Sequence, residues 1–295
     1  MLLLNLIKFI INLFMFDFCK YHGLGNDYII INPKLNLNLY KNNIKLLCNR
    51  NFGMGGDGIL YGPFIFNNKI YVKIFNSDGS EIEKSGNGLR IFSFYLLEYN
   101  YVKKNSFYLN IKSSNIYVEI VDILRNIIKI ELGIFTFSSE AIPTIFTNED
   151  IFQKNVKFFH YREFINCVNI GNPHCVIIKK TINSNIIKKL GRVIENSQYF
   201  PNGINCQIVK IINRKMVEIE IWERGVGYTL ASGTSSVAAF LISNKLGLVD
   251  NEITVKMVGG DANISLINNN LFLTAPVNKL FYGNLANSFK KELRE

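Results

Sequence analysis

Gly25-Asn26 is followed 60 positions later by Ser85-Gly86, and Gly171-Asn172 is followed 61 positions later by Ser232-Gly233. Two loops and two Ser-Gly pairs thus recur at a common offset of 146 or 147 residues, with little side-chain identity between the copies. Repeated spacing without repeated side chains points to one backbone topology used twice. The order of elements agrees. In the first half, aromatic and β-branched runs at 16–21 and 28–32 read as strands on either side of HGLGND. Helical spacing over 39–50 stops at Asn51-Phe52-Gly53, strands follow at 59–61 and 69–76, and the loop DGSEIEKSGNG leads into a helix over 89–101. Alternating apolar residues over 107–137 read as a meander of strands. The second half repeats the order: a strand at 164–168, the turn IGNPH, a strand at 175–178, a polar helix-like segment, strands at 205–213 and 217–222, then ERGVGYTLASGTSS and a helix over 235–245. The expected fold class is α+β, with two pseudo-symmetric domains facing each other across a cleft.

A chain of 295 residues suits two domains better than one core. The expected boundaries are an apolar extension at 1–15, a first half at 16–132 completed by about 278–289, and a second half at 133–277. With 48% hydrophobic and 19% charged residues, disorder is excluded. The net charge of +10 comes from lysines scattered singly and in pairs, with no basic stripe. A nucleic-acid partner is therefore not expected, and an anionic small substrate is compatible. Five cysteines, Cys19, Cys48, Cys167, Cys175 and Cys206, form no C-x-x-C pair and no regular spacing. Neither a disulfide framework nor a metal site is expected, and a reducing, cytoplasmic setting is the default. The opening MLLLNLIKFIINLFMF is apolar, but a spanning helix needs ~20 such residues, and Asn5, Lys8 and Asn12 interrupt this run. No membrane partner is expected; Met15 reads as the start of the protein proper, with a targeting segment as the alternative.

Each Ser-Gly pair stands at the mouth of a helix, followed by Asn87-Gly88 in one half and Thr234-Ser235 in the other. Such a start exposes unsatisfied backbone N–H groups and the positive end of the helix dipole, and anions bind there. If the halves pack about a pseudo-twofold axis, two such starts can address opposite faces of one small molecule. That is a geometry for inverting a stereocentre, one group removing a proton and its counterpart returning one. The plainer reading of Ser85 and Ser232 is helix capping, where serine is among the preferred residues.

Five stretches, HGLGNDY, RNFGMGGDGIL, FNSDGSEIEKSGNGLR, IGNPHCV and WERGVGYTLASGTSS, occur in an order and spacing that resemble the diaminopimelate epimerases, isomerases that work without pyridoxal phosphate. The resemblance runs from Phe16 to about Val277. It implies two domains, each a mostly antiparallel sheet wrapped around a central helix, no cofactor, and an amino-acid substrate, diaminopimelate, on the route to lysine and cell wall. A homodimer is allowed but not required. Carried over motif by motif, Asn26, Asn76, Asn172, Asn205, Glu223 and Arg224 fall where the family grips its zwitterionic substrate. Gly86, Asn87, Gly233 and Thr234 would supply helix-start amides, and His174 would lie close to the reacting centre. Arg224 offers a planar fork for a carboxylate, Glu223 an acceptor for an ammonium, and the asparagines orientation without charge.

At the positions of Ser85 and Ser232 the resemblance implies cysteines, the acid and base of a two-base mechanism. A cysteine has pKa ~8.5 and a helix N-terminus lowers it; a serine hydroxyl is a far weaker acid and needs a partner to act as a base. No such partner is legible in the sequence. Three explanations stay open: an epimerase in which Asp78, Glu81, Glu83 or His174 carries the proton; a same-fold isomerase acting on a more acidic carbon or another substrate; or a homologue that binds without turnover. Of the five cysteines, none stands at a position that replaces either serine.

Overall fold

The computed structural model describes residues 16–294 apart from Ser113 and Asn148; the expected extension at 1–15 lies outside the described residues. The chain divides into two compact units, one comprising Met1–Ile128 with Pro276–Glu295 and the other Lys129–Ala275. Among the described residues no helix is long and apolar enough to cross a membrane.

The first unit is built on strands β1 (Phe18–Gly23), β2 (Asn26–Ile31), β3 (Gly58–Phe66), β4 (Lys69–Asn76), the short β5 (Glu81–Ile82), β6 (Ser106–Ile111) and β7 (Ser114–Asp122). β1 pairs antiparallel with β2, β2 parallel with β3, β3 antiparallel with β4, β4 parallel with β6, and β6 antiparallel with β7. Helix α1 (Lys41–Cys48) turns Ile44, Leu47 and Cys48 onto a core with Ile29, Ile31, Ile59 and Phe75. Helix α2 (Gly86–Glu98) buries ten of its thirteen residues and packs against β1, β2, β3 and β7. A helix apolar on nearly every side is stable only inside other elements, so α2 is the central helix of this unit.

The second unit, which begins within β8 (Ile127–Glu131), contains β9 (Lys154–Phe158), β10 (Tyr161–Asn169), β11 (Pro173–Ile178), β12 (Asn205–Asn213), β13 (Met216–Glu223), the short β14 (Gly227–Thr229), β15 (Glu252–Met257), β16 (Gly260–Ile267) and β17 (Asn270–Pro276). The pairing order repeats: β10 antiparallel to β11, β11 parallel to β12, β12 antiparallel to β13, β13 parallel to β15, and β15 antiparallel to β16. Helix α3 (Ser184–Glu195) is amphipathic, with Ile187, Leu190 and Ile194 at helical spacing on the core. Helix α4 (Gly233–Lys245) is buried continuously from Ser235 to Ser243 and packs against β10 to β13, β15 and β16. The C-terminal strand β18 (Asn278–Gly283) joins β1 antiparallel, as β9 joins β10 in the other unit, and α5 (Asn287–Glu292) follows.

The structure shifts the expected bounds of both central helices. α2 begins at Gly86 rather than 89, and α4 at Gly233 rather than 235. The residues after each serine are Gly, Asn and Gly or Gly, Thr and Ser, which have weak helix propensity. The N-cap and burial override it. Past the end of α2, Asn100 at φ 59 marks the exit from the helix, so the helix ends at Glu98 and not at 101.

Candidate active site

Ser85 caps α2 with extended backbone, φ −138 and ψ 117, and its Oγ accepts from the Gly88 N–H at 3.1 Å. Ser232 caps α4 in the same way, φ −148 and ψ 127, accepting from the Ser235 N–H at 3.3 Å. The first intrahelical bonds run from Leu89 to the Ser85 carbonyl and from Ser236 to the Ser232 carbonyl. The amides of Gly86 and Asn87, and of Gly233 and Thr234, precede them and have no partner four residues back. Capping is thus real at both serines, and it leaves an amide-rich helix start beside each hydroxyl.

The repeat extends to the side chains. At the common offset Asn26 corresponds to Asn172, Tyr28 to His174, Gly58 to Asn205, Asn76 to Glu223 and Ser85 to Ser232. Strand register explains why. Tyr28, Gly58 and Asn76 form one row across β2, β3 and β4, and His174 stands beside Asn205 across β11 and β12.

In the first unit Asn87 donates to Asn26 Oδ1 at 3.2 Å, and Asn26 donates to Asp57 at 2.9 Å. Asn76 is half-buried at the end of β4 and donates to Ser80 Oγ at 3.1 Å. Beneath them lies a charge cluster that sequence reasoning missed. Arg50 forks onto Asp27 at 2.8 and 3.1 Å and reaches Asp57 at 2.9 Å, while Lys20 pairs with Asp27 at 2.8 Å. Burial pushes the Asp27 carboxyl up, but the hydrogen bonds from Arg50 and Lys20 outweigh it and hold it well below the usual carboxylate range. Arg90, fully buried on α2, donates to Asn87 Oδ1 at 2.8 Å and so holds the side chain that faces Asn26. Its place in SGNGLR was visible; its contact with Asn87 at i−3 was the signal available.

In the second unit His174 is fully buried, its Nε2 3.0 Å from Asn172 Oδ1 and its Nδ1 3.3 Å from Gln207 Oε1. Gln207 in turn donates to Ser235 Oγ at 3.0 Å. Burial lowers the imidazole to about 3, against a hydrogen bond to the Gln207 oxygen and with the Arg224 charge adding to the fall. His174 is therefore a neutral hydrogen-bonding hub. Burial opposes the charged form of His174 and both its ring nitrogens are already taken by Asn172 and Gln207, which favours a supporting role over that of a replacement base. Asn205 is buried, donating to the Pro173 carbonyl at 2.8 Å and accepting from the Arg224 N–H at 3.0 Å, so it braces the WERG turn. Glu195 adds bonds to Trp222 Nε1 and the Gly225 N–H at 2.6 and 2.7 Å. Glu223 is half-buried at the end of β13; Arg224 is exposed, its guanidinium reaching the Asn202 carbonyl at 3.3 Å. Thr234 Oγ1 lies 3.3 Å from Ser232 Oγ.

The three acidic alternatives are solvent-facing. Asp78, Glu81 and Glu83 are exposed, and Asp78 is occupied as an acceptor from the Ser80 N–H and hydroxyl at 2.9 and 2.6 Å. The five cysteines are all free and buried, and burial pushes the Cys48 thiol up to about 12.

The family model for diaminopimelate epimerase matches residues 18–137 and 166–280. The chain belongs to the diaminopimelate epimerase family. Among its relatives, "Diaminopimelate epimerase 2" of Nostoc sp. is 44% identical over 273 residues, covering 91% of this chain and 95% of that protein. The diaminopimelate epimerase of Halothermothrix orenii is 34% identical, covering 91% and 97%. Among solved structures, a probable proline racemase of Agrobacterium radiobacter superposes with a TM-score of 0.65 at 11% identity, over 92% of this chain and 93% of that one. A phenazine biosynthesis protein of the PhzF family from Bacillus anthracis gives 0.65 at 11% identity, over 92% and 99%. At such identity these structures share the fold, and the diaminopimelate epimerase family supplies the chemistry to test.

Proposed function

We propose that this chain interconverts the LL and meso forms of diaminopimelate by proton transfer at the α-carbon without a cofactor, in the cytoplasm, serving lysine and cell-wall synthesis. The observation that carries this is the duplicated serine: in a chain of this family, Ser85 and Ser232 each cap a central helix and each sit beside two amides without intrahelical partners. Epimerisation needs one group to remove a proton and another to return one, and Ser85 and Ser232 are the candidates for these roles. The amides of Gly86, Asn87, Gly233 and Thr234 take the substrate carboxylate and stabilise the charge that develops next to it. Asn26, Asn76, Asn172 and Asn205 orient the ligand, Glu223 accepts from its ammonium, and Arg224 takes a carboxylate. His174 supports Asn172 and stays neutral.

Serine in place of cysteine predicts slow turnover. Purified protein incubated with LL-diaminopimelate in heavy water is expected to place deuterium at the α-carbon and to form the meso product. The double substitution S85C/S232C is expected to raise that rate by about 10²-fold or more. No deuterium and no meso product from the parent chain rejects the assignment; stabilisation by the ligand without exchange identifies a binding homologue instead.

A further inference from the structure

We propose that Tyr28 is the proton-relay partner of Ser85, resting on the epimerase assignment above and supplying the partner that a lone serine lacks. The Tyr28 hydroxyl lies 3.0 Å from Ser85 Oγ, and either oxygen can donate. Ser85 Oγ also accepts from the Gly88 N–H at 3.1 Å. A serine hydroxyl has one proton and two lone pairs. With Gly88 on one lone pair, the two directions of the Tyr28 bond correspond to two working states. When Tyr28 donates, the serine proton is released toward a ligand; when Ser85 donates, its second lone pair is released to accept one.

The fold builds this contact. Tyr28 is buried on β2, and its ring crosses Gly58 of β3, where an added Cβ would lie 2.7 Å from Tyr28 Cε1. No larger residue at 58 leaves the ring in that place. The counterpart in the second unit, His174, occupies the equivalent strand position but turns its ring nitrogens to Asn172 and Gln207. The two constellations share a backbone and differ in chemistry.

As an acid, Ser85 gives its hydroxyl proton to the substrate carbanion, forming the C–H bond, while the Tyr28 proton moves to Ser85 Oγ and the electron pair stays on the phenolate. As a base, the phenolate takes the Ser85 proton while Ser85 Oγ takes the proton from the α-carbon, whose bonding pair remains on carbon. Protons and electrons balance at this site, and no alkoxide accumulates on Ser85. The charge rests on a phenol, a far stronger acid than an aliphatic hydroxyl.

The test compares Y28F in the parent chain and in the S85C/S232C background, with thermal melts as a folding control. In the parent, Y28F is expected to lower kcat for α-carbon exchange by about 10²-fold with KM within about twofold. In the cysteine background the same substitution is expected to change kcat by less than about threefold, because a thiol needs no relay. A curved dependence of kcat on the deuterium fraction of the solvent in the parent, straightened in Y28F, marks the second proton in flight. Parent exchange left unchanged by Y28F, or an equal loss in both backgrounds, overturns the relay alone. A parent chain with no exchange overturns the epimerase assignment and the relay together.

Discussion

Replacing Arg90 by methionine is expected to make the protein slightly more stable and markedly less active. The side chain is fully buried on α2, Nη2 donates to Asn87 Oδ1 at 2.8 Å, and among the described residues Nε and Nη1 have no hydrogen-bond partner. Burial lowers the guanidinium from 12.5 to about 9, which leaves it charged at neutral pH. A fall of that size corresponds to roughly 5 kcal/mol of unfavourable desolvation. Methionine removes that term. Against it stand the charge-assisted bond to Asn87, about 1.5–3 kcal/mol, and a small void where the guanidinium was, about 1 kcal/mol. The balance is a gain of about 1–2.5 kcal/mol, read as a rise in melting temperature of about 2–4 °C for each kcal/mol. Asn87 meanwhile loses the group that holds it toward Asn26, and deuterium exchange into diaminopimelate is expected to drop by about tenfold or more. Thermal melts, urea titration and the exchange assay on the same preparation read both effects. A loss of more than about 2 kcal/mol in R90M would refute the account, because a guanidinium that stabilises so much must be satisfied by partners other than Asn87.

Two further outcomes follow from the packing and the titration of the second unit. His174 has a folded pKa lowered to about 3 against ~6.5 unfolded, so the unfolded chain binds the proton first, and the neutral histidine's share of stability is complete above pH 6.5 and declines as pH falls toward 3. Between pH 6.5 and 4 this amounts to roughly 3 kcal/mol; urea midpoints across that range should fall less steeply in H174Q than in the parent, and equal slopes would show that the imidazole titrates in the folded state. Gly191 on α3 lies against Trp222, with an added Cβ 2.5 Å from the tryptophan Cβ and Cγ. G191A is expected to lower stability by about 1–3 kcal/mol, and an unchanged urea midpoint would show that α3 shifts freely on β13.

The duplicated offset, the two helix starts and the motif order were properties of the sequence, because spacing between turn-forming glycines and capping serines is conserved by topology itself. Asn26, Asn76, Asn172, Glu223 and the two serines could be paired by counting alone, since equivalent strands must carry them to equivalent rows. Contacts that depend on rotamer and register could not. Nothing in HGLGNDY distinguishes the aspartate that binds Arg50 from the tyrosine that reaches Ser85; alternation along β2 and the bare Gly58 opposite decide which way each points. His174 reads as a titratable group in one dimension, and only burial, outweighing its hydrogen bond to Gln207, disfavours the charged form. The sequence by itself determined that one topology is used twice and which Ser-Gly pairs stand before its central helices. The tertiary structure decided which polar groups meet and which are kept from water, because desolvation and hydrogen-bond geometry belong to surroundings assembled from strands far apart in the chain.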